Sequence, residues 1–305
     1  MRAFYCDHFV LPLPQEHRFP MEKYRLLRGR VEGFQNLTLS VPDAATDKAL
    51  CRVHTQDYVK RVSTGALTRD EIRRIGFPWS SELVERSRRS VGGTIAAARV
   101  AHVEGAAANL AGGTHHAYPD RGEGFCVFND VAVAIREMQA HHAVTRCAVL
   151  DLDVHQGNGN AAIFANDPDV FTLSVHGESN YPFRKEESDF DVALQDGAGD
   201  DMFLEAVRTG VARALSPAPD LVFYVAGADP FRGDKLGRLD VSKAALGERD
   251  SLVIDACVSA NLPLVVVMAG GYAEEVVDTV DIHAATVRAA IEATYRPTST
   301  RVHAG

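Results

Sequence analysis

The stretch Cys147-Ala148-Val149-Leu150-Asp151-Leu152-Asp153-Val154-His155 decides how the rest of the chain is read. Its first four residues form the kind of apolar run that a buried strand carries. Side chains of an extended chain alternate between faces, so Asp151, Asp153 and His155, at i, i+2 and i+4, leave the same face. Three such groups on a hydrophobic strand are costly to bury unless a cation or a hydrogen-bond network compensates them. A metal ion is the economical explanation.

Outward from this segment, strand runs are expected at 3–5, 107–111, 147–152, 170–175, 221–226 and 264–269. Helical spacing is expected at 21–37, 83–104, 131–138, 203–207 and 241–260, and 10–17 reads as a proline-rich loop. Near-continuous apolar strands alternating with helices imply an α/β fold, a parallel sheet covered on both faces. No internal repeat, low-complexity tract or long linker interrupts the chain, so a single domain over 1–305 is expected. His115 and His116, Asp153 and His155, Ser174 and His176, Asp229, and Tyr272 all fall at or just beyond the C-terminal ends of these strands. Open parallel sheets bind ligands at that edge.

Bulk properties narrow the function. The chain has 305 residues, 46% hydrophobic and 24% charged, with a formal net charge of −9. That is ordinary globular composition. The negative balance argues against a nucleic-acid backbone as partner and disfavours an anionic membrane surface. No apolar stretch approaches the about 18 residues of a spanning helix, and Met1 to His8 lack the pattern of a signal peptide. Five scattered cysteines without C-x-x-C spacing exclude a thiolate zinc site and indicate a reduced, cytoplasmic setting.

Asp153, His155 and Asp229 together make a candidate ligand set for one divalent ion. One imidazole and two carboxylates suit zinc with an open position for water, and would also accept another first-row ion. The plain alternative is that Asp153 caps the following helix while Asp229 heads a turn. A dinuclear centre on such a sheet needs further carboxylates two residues beyond His155 and beyond Asp229. Gly157 and Phe231 stand there, so a single metal is expected. The pair His115-His116 lies between glycine-rich stretches, Gly112-Gly113 and Gly122-Glu123-Gly124, where backbone can approach a ligand closely. His141-His142, without that context, reads as a solvated helix end. A histidine beside a metal-bound water is a natural general base, then acid. Tyr272, after Gly270-Gly271, could pack on a rim or donate its hydroxyl to an oxyanion.

The segments GGTHHAYPDRGEGFCVFNDVAVAI, VLDLDVHQGNGNAAIF, FTLSVHG, YVAGADPFRGDKLGRLDVS and VVMAGGY resemble those of the zinc-dependent histone deacetylase family, in order and in spacing. The resemblance runs from about residue 80 to 290, and VHQGNG with AGADPFRGDKLG is more similar to the class IV branch and its bacterial relatives. It implies a three-layer α/β/α sheet of eight mostly parallel strands, and zinc held by Asp153, His155 and Asp229. It implies His116 as general base and acid, His115 as its electrostatic neighbour, Asp151 orienting His115, and Tyr272 polarising the acyl carbonyl. Gly124 and Phe125 would line an acyl-lysine channel opposite Tyr181, with Gly270 and Gly271 beside the substrate. Potassium would lie behind the zinc, on Asp151, Ser174 and backbone carbonyls of Asp151, Asp153, His155 and Val175. Asn158 stands where class I members have aspartate, which implies a weaker stabilisation of the His116 imidazolium. The implied substrate is an acyl-lysine protein or peptide, or a small acylated amine such as an acetylpolyamine.

Overall fold

Eight strands form one sheet in the computed structural model, which describes residues 1–14 and 16–294. The strands are β1 (Arg2–Phe4), β2 (Thr38–Ser40), β3 (Ala106–Asn109), β4 (Cys147–Asp151), β5 (Val170–Gly177), β6 (Phe190–Leu194), β7 (Leu221–Ala226) and β8 (Leu264–Met268). Their spatial order is β2-β1-β3-β8-β7-β4-β5-β6. Every neighbouring pair is parallel, where a mostly parallel sheet was expected. Gln15, in the loop expected at 10–17, and residues 295–305 of the domain expected over 1–305 lie outside the described residues.

The period of two along β4 sorts its side chains between two cores. Ala148 and Leu150 pack with residues from the helices Glu22–Val31, Asp200–Leu215, Lys243–Ser259 and Val276–Thr294. Cys147 and Val149 pack on the other face with residues from Gln56–Thr64, Ser81–Glu104 and Asp130–Ala140. Both faces are therefore covered, which is why β7 and β8 are apolar along their whole length. The two strands absent from the expectation, β2 and β6, are the sheet edges. They are short and largely half-exposed, so neither carries a continuous apolar run. The helix expected at 21–37 stops at Val31; Gly33 follows, and Asn36 takes φ +63°, a conformation that ends helices.

Connectivity locates the cleft. After β4 the chain moves outward to β5, and after β7 it moves the opposite way to β8, although β4 and β7 are hydrogen-bonded neighbours. Connections that diverge from adjacent parallel strands leave a crevice beyond their C-terminal ends. Asp153 and His155 follow β4, and Asp229 follows β7.

Candidate active site

At this crevice Asp153, His155 and Asp229 each bring a ligand atom within 4.8 Å of the others, all three buried. Asp153 caps no helix: the next one, Asn158–Phe164, starts behind Gly157 without a side-chain cap. Instead, Asp153 accepts from the N–H groups of His155 (2.9 Å) and Gly270 (2.7 Å), and Asp229 from that of Val154 (3.0 Å). Nδ1 of His155 lies 2.9 Å from Asp153 Oδ1 and 3.1 Å from Asp229 Oδ2. Burial opposes charge on this imidazole, yet the two carboxylates push it up to about 10. The set thus binds a proton tightly where no cation is present. Asp229 is pushed up to about 7 by burial and by Asp153, whereas Asp153, despite its burial, is held below the usual carboxylate range by His115 and His155. Glycine lets the two carboxylates converge. A Cβ on Gly270 would stand 1.8 Å from Asp229 Oδ2 and 2.6 Å from Asp153 Oδ2. The residues fit a single divalent ion, and among the described residues they are the one such cluster.

The histidine pair sits beside the triad, both residues buried with ring centres 4.1 Å apart. His115 Nδ1 is 2.7 Å from Asp151 Oδ2. Burial would lower His115 and lifts the Asp151 carboxyl, but Asp151 and Asp153 together push the imidazole up to about 9. His116 is driven the other way, far below its ordinary value, by burial and then by the charges of His115 and His155. It is neutral at physiological pH. Its Nδ1 lies 2.6 Å from Asn158 Oδ1. The Asn158 amide cannot be turned round, because its Nδ2 donates to Glu123 Oε1 at 2.8 Å and to the Tyr118 hydroxyl at 3.0 Å. A carboxylate only accepts, so the amide oxygen must face His116, and Nδ1 of His116 must carry the proton. Nε2 is left with a free lone pair. A neutral base of fixed tautomer results.

Three walls enclose the approach. Gly124 (φ +56°) and Phe125 (φ +64°) take the left-handed conformation, fixed by N–H bonds to the carbonyls of Arg74 (3.1 Å) and Ile75 (2.8 Å). A Cβ on Gly124 would come 2.6 Å from the His116 ring and 3.1 Å from Tyr181, so glycine is required there. Tyr181 meets His116 edge to face at 4.9 Å. Tyr272 closes the third side, 6.1 Å from Phe125 between ring centres. Burial, then the nearby Asp229 charge, lifts its hydroxyl far above the ordinary tyrosine range, so it stays a donor. Gly270 and Gly271 precede Tyr272 as expected, with Gly270 donating to the triad.

Five supporting side chains were not singled out from sequence. Glu123 and Tyr118 hold Asn158. Asp234 accepts from the Tyr272 N–H at 2.6 Å. Lys23 is buried, donates to the carbonyls of Ala269 (3.4 Å) and Gly271 (3.3 Å), and lies 5.1 Å from the Tyr272 ring centre. Arg249, fully buried, donates to the carbonyls of Gly227 (2.5 Å) and Leu152 (3.4 Å), just before Asp229 and Asp153. Behind the triad, Asp151 and Ser174 are register partners across β4 and β5, and Val175 is fully buried. Ser174 Oγ lies 3.0 Å from His176 Nδ1. His141, the control, pairs with Glu137 one helical turn back at 3.0 Å, away from the crevice.

Comparison with known proteins identifies the family and the fold. The family model of the histone deacetylase domain matches residues 17–287. An uncharacterized protein of Picosynechococcus sp. is 44% identical over 293 residues, 94% of this chain and 97% of that protein. Histone deacetylase 2 of Arabidopsis thaliana is 32% identical over 284 residues, 87% of this chain and 72% of that protein. The acetylpolyamine aminohydrolase structure from Burkholderia pseudomallei superposes with a TM-score of 0.80 at 23% identity, covering 95% of this chain and 98% of that one. At that identity the superposition speaks for the fold.

Proposed function

Since the chain belongs to the zinc-dependent histone deacetylase family, and is a hydrolase, we propose that it removes acyl groups from the side-chain amine of acyl-lysine in proteins or peptides. The observation that carries this reading is His116, with Nδ1 2.6 Å from Asn158 Oδ1, beside the Asp153–His155–Asp229 triad in one cleft. Those three residues would hold zinc, which when bound supplies Lewis acidity to the scissile carbonyl and the attacking water. Asp151, Ser174 and neighbouring backbone carbonyls, Val175 among them, would hold a structural potassium ion.

The chain's own residues supply the proton traffic. His116 Nε2 takes a proton from the attacking water and returns it to the departing lysine amine. Buried at low dielectric beside the His115 imidazolium, it resists keeping that proton, which favours the second transfer. Tyr272 donates its hydroxyl hydrogen to the oxygen that gains charge as the carbonyl becomes tetrahedral. Gly124, Phe125 and Tyr181 flank the aliphatic lysine stem and exclude water around it. A cytoplasmic location is supported by five cysteines that are all unbridged; no described helix is long and apolar enough to cross a membrane.

The test is turnover of a panel of acyl-lysine peptides, from acetyl to myristoyl, by protein stripped with a chelator and reloaded with zinc. Hydrolysis should vanish on stripping, return with the metal, and be lost in Asp153→Ala despite a folded melt. Hydrolysis indifferent to chelation, or none by the zinc-loaded protein, would refute it.

A further inference from the structure

The mouth of the active-site cleft has the opposite charge to the protein. Above His116, His155 and Tyr272 the cleft widens into a cavity of about 930 Å³. Arg18, Arg73, Arg74, Lys235 and Arg238 line it, with Glu16 as the one lining carboxylate. All six of these side chains are exposed. The chain carries 41 Asp and Glu against 32 Lys and Arg, so random placement would make this rim acidic.

Local neutralisation is slight. Arg73 reaches Asp70 at 3.2 Å and Arg238 reaches Asp196 at 3.1 Å, both pairs largely exposed, and exposed pairs interact weakly. Among the described residues, Arg18, Arg74 and Lys235 make no ion pair with a carboxylate. One carboxylate near the channel, Glu123, faces inward and is engaged by Asn158, while the exposed Glu186 accepts from the Tyr118 hydroxyl. A further cation, Lys185, is pinned to the Tyr181 loop through the carbonyls of Glu178, Asn180 and Pro182 at 2.6–2.9 Å. On that loop Phe183 is 86% exposed, an apolar contact beside the basic ring.

From this charge arrangement we infer that the substrate is an acyl-lysine flanked by acidic residues, in a peptide or protein that lies across the mouth. The inference rests on the proposed amide hydrolysis and names its substrate class. A free acetylpolyamine carries its remaining ammonium groups into this basic ring and is repelled. An acidic peptide is attracted before contact, because a cleft lined by one sign of charge concentrates the opposite sign. The wide mouth and exposed Phe183 favour a chain over a small acylated anion, which would leave most of the rim unused.

The experiment uses one acyl-lysine in three peptides, with Asp/Glu, Ser/Ala or Lys/Arg flanks, beside N-acetylspermidine and an acetylated lysine phosphoramide as a small anion. Dissociation constants come from fluorescence anisotropy on the Tyr272→Phe protein and kcat/KM from the zinc-loaded native enzyme. Acidic flanks should bind and turn over on the order of tenfold better than basic ones at 0.01 M salt. The gap should close at 0.15 M, as the screening length falls from about 30 Å to about 8 Å. Arg18→Glu with Arg74→Glu, with an unchanged melt, leaves three cations facing three carboxylates at the mouth and should abolish the preference. Equal turnover of all flanks, preference for basic flanks or spermidine, or preference for the small anion would each overturn the inference while leaving amide hydrolysis standing. Selective binding of acidic peptides with no turnover would uphold the basic mouth and remove the hydrolytic reading.

Discussion

Asn158 gives the sharpest handle on the proton chemistry. Its Oδ1 lies 2.6 Å from His116 Nδ1, and its Nδ2 donates to Glu123 Oε1 at 2.8 Å. Asn158→Asp puts a carboxylate beside the imidazole. Two unit charges about 4 Å apart attract by roughly 4 kcal/mol at an effective dielectric of 20. At about 1.4 kcal/mol per pH unit, that sets a ceiling of roughly three pH units. The single substitution should fall well short of it. The new carboxylate oxygen replaces a donor that faced Glu123, and two carboxylates in contact retain a proton between them. The acid limb of kcat/KM should therefore rise by less than about one pH unit. Adding Glu123→Gln restores a donor to the new carboxylate and frees its charge, and the limb should then rise by about two pH units. The sign follows from the role: the base works when neutral, an adjacent anion stabilises its protonated form, and activity on the acidic side is lost at higher pH. The assay is the pH profile of kcat/KM on an acyl-lysine peptide, with NMR titration of the His116 ring in parallel. A double variant whose limb sits no higher than that of the single one refutes the argument from Glu123.

Two further substitutions test the frame. Gly270→Ala places a methyl 1.8 Å from Asp229 Oδ2, so the purified protein should hold less than about a tenth of the native metal content by elemental analysis while still folding; full metal occupancy would show that the cradle yields. Arg249→Met leaves Asp250 buried with only the Tyr224 and Thr286 hydroxyls as partners, and breaking such a buried pair costs about 3 kcal/mol. Urea unfolding should show that loss together with weakened metal binding, since Arg249 also anchors the Gly227 carbonyl; unchanged stability would contradict it.

What could be read from the chain follows how local each signal is. β7 matches the expected 221–226 because six consecutive apolar residues leave no other interpretation, and the triad's first two members follow from the period of two beyond β4. β2 and β6 lie at the edges, where half-exposure erases the pattern. Lys23 shows the opposite difficulty. A lysine in the helix Glu22–Val31 reads as a solvated position, yet it is buried by rings from Phe19, Tyr24 and Tyr272 and by carbonyls near residue 270. Arg249 is disguised in the same way by standing next to Asp250. The Glu123–Asn158 contact needed the third dimension as well, and it changes the expected consequence of Asn158→Asp from a plain increase to one that depends on a second carboxylate.

Charge followed the same division. The net charge of −9 describes the whole molecule and says little about the rim of the cleft. Arg18, Arg73 and Arg74, and Lys235 and Arg238 belong to three separate chain segments, each unremarkable alone. They meet over the cleft that forms where β4 and β7 send the chain in opposite directions, although Arg18 follows β1, Arg73 and Arg74 lie in the helix Arg69–Ile75, and only Lys235 and Arg238 follow β7. The same divergence brings Asp229 to Asp153 and His155. Metal centre and basic mouth thus share one crevice: the inner layer is set by the strands β4 and β7 and the outer by which other segments reach its opening. A rim that steers substrate can therefore change sign through surface residues alone, with the triad, His116 and Tyr272 left in place.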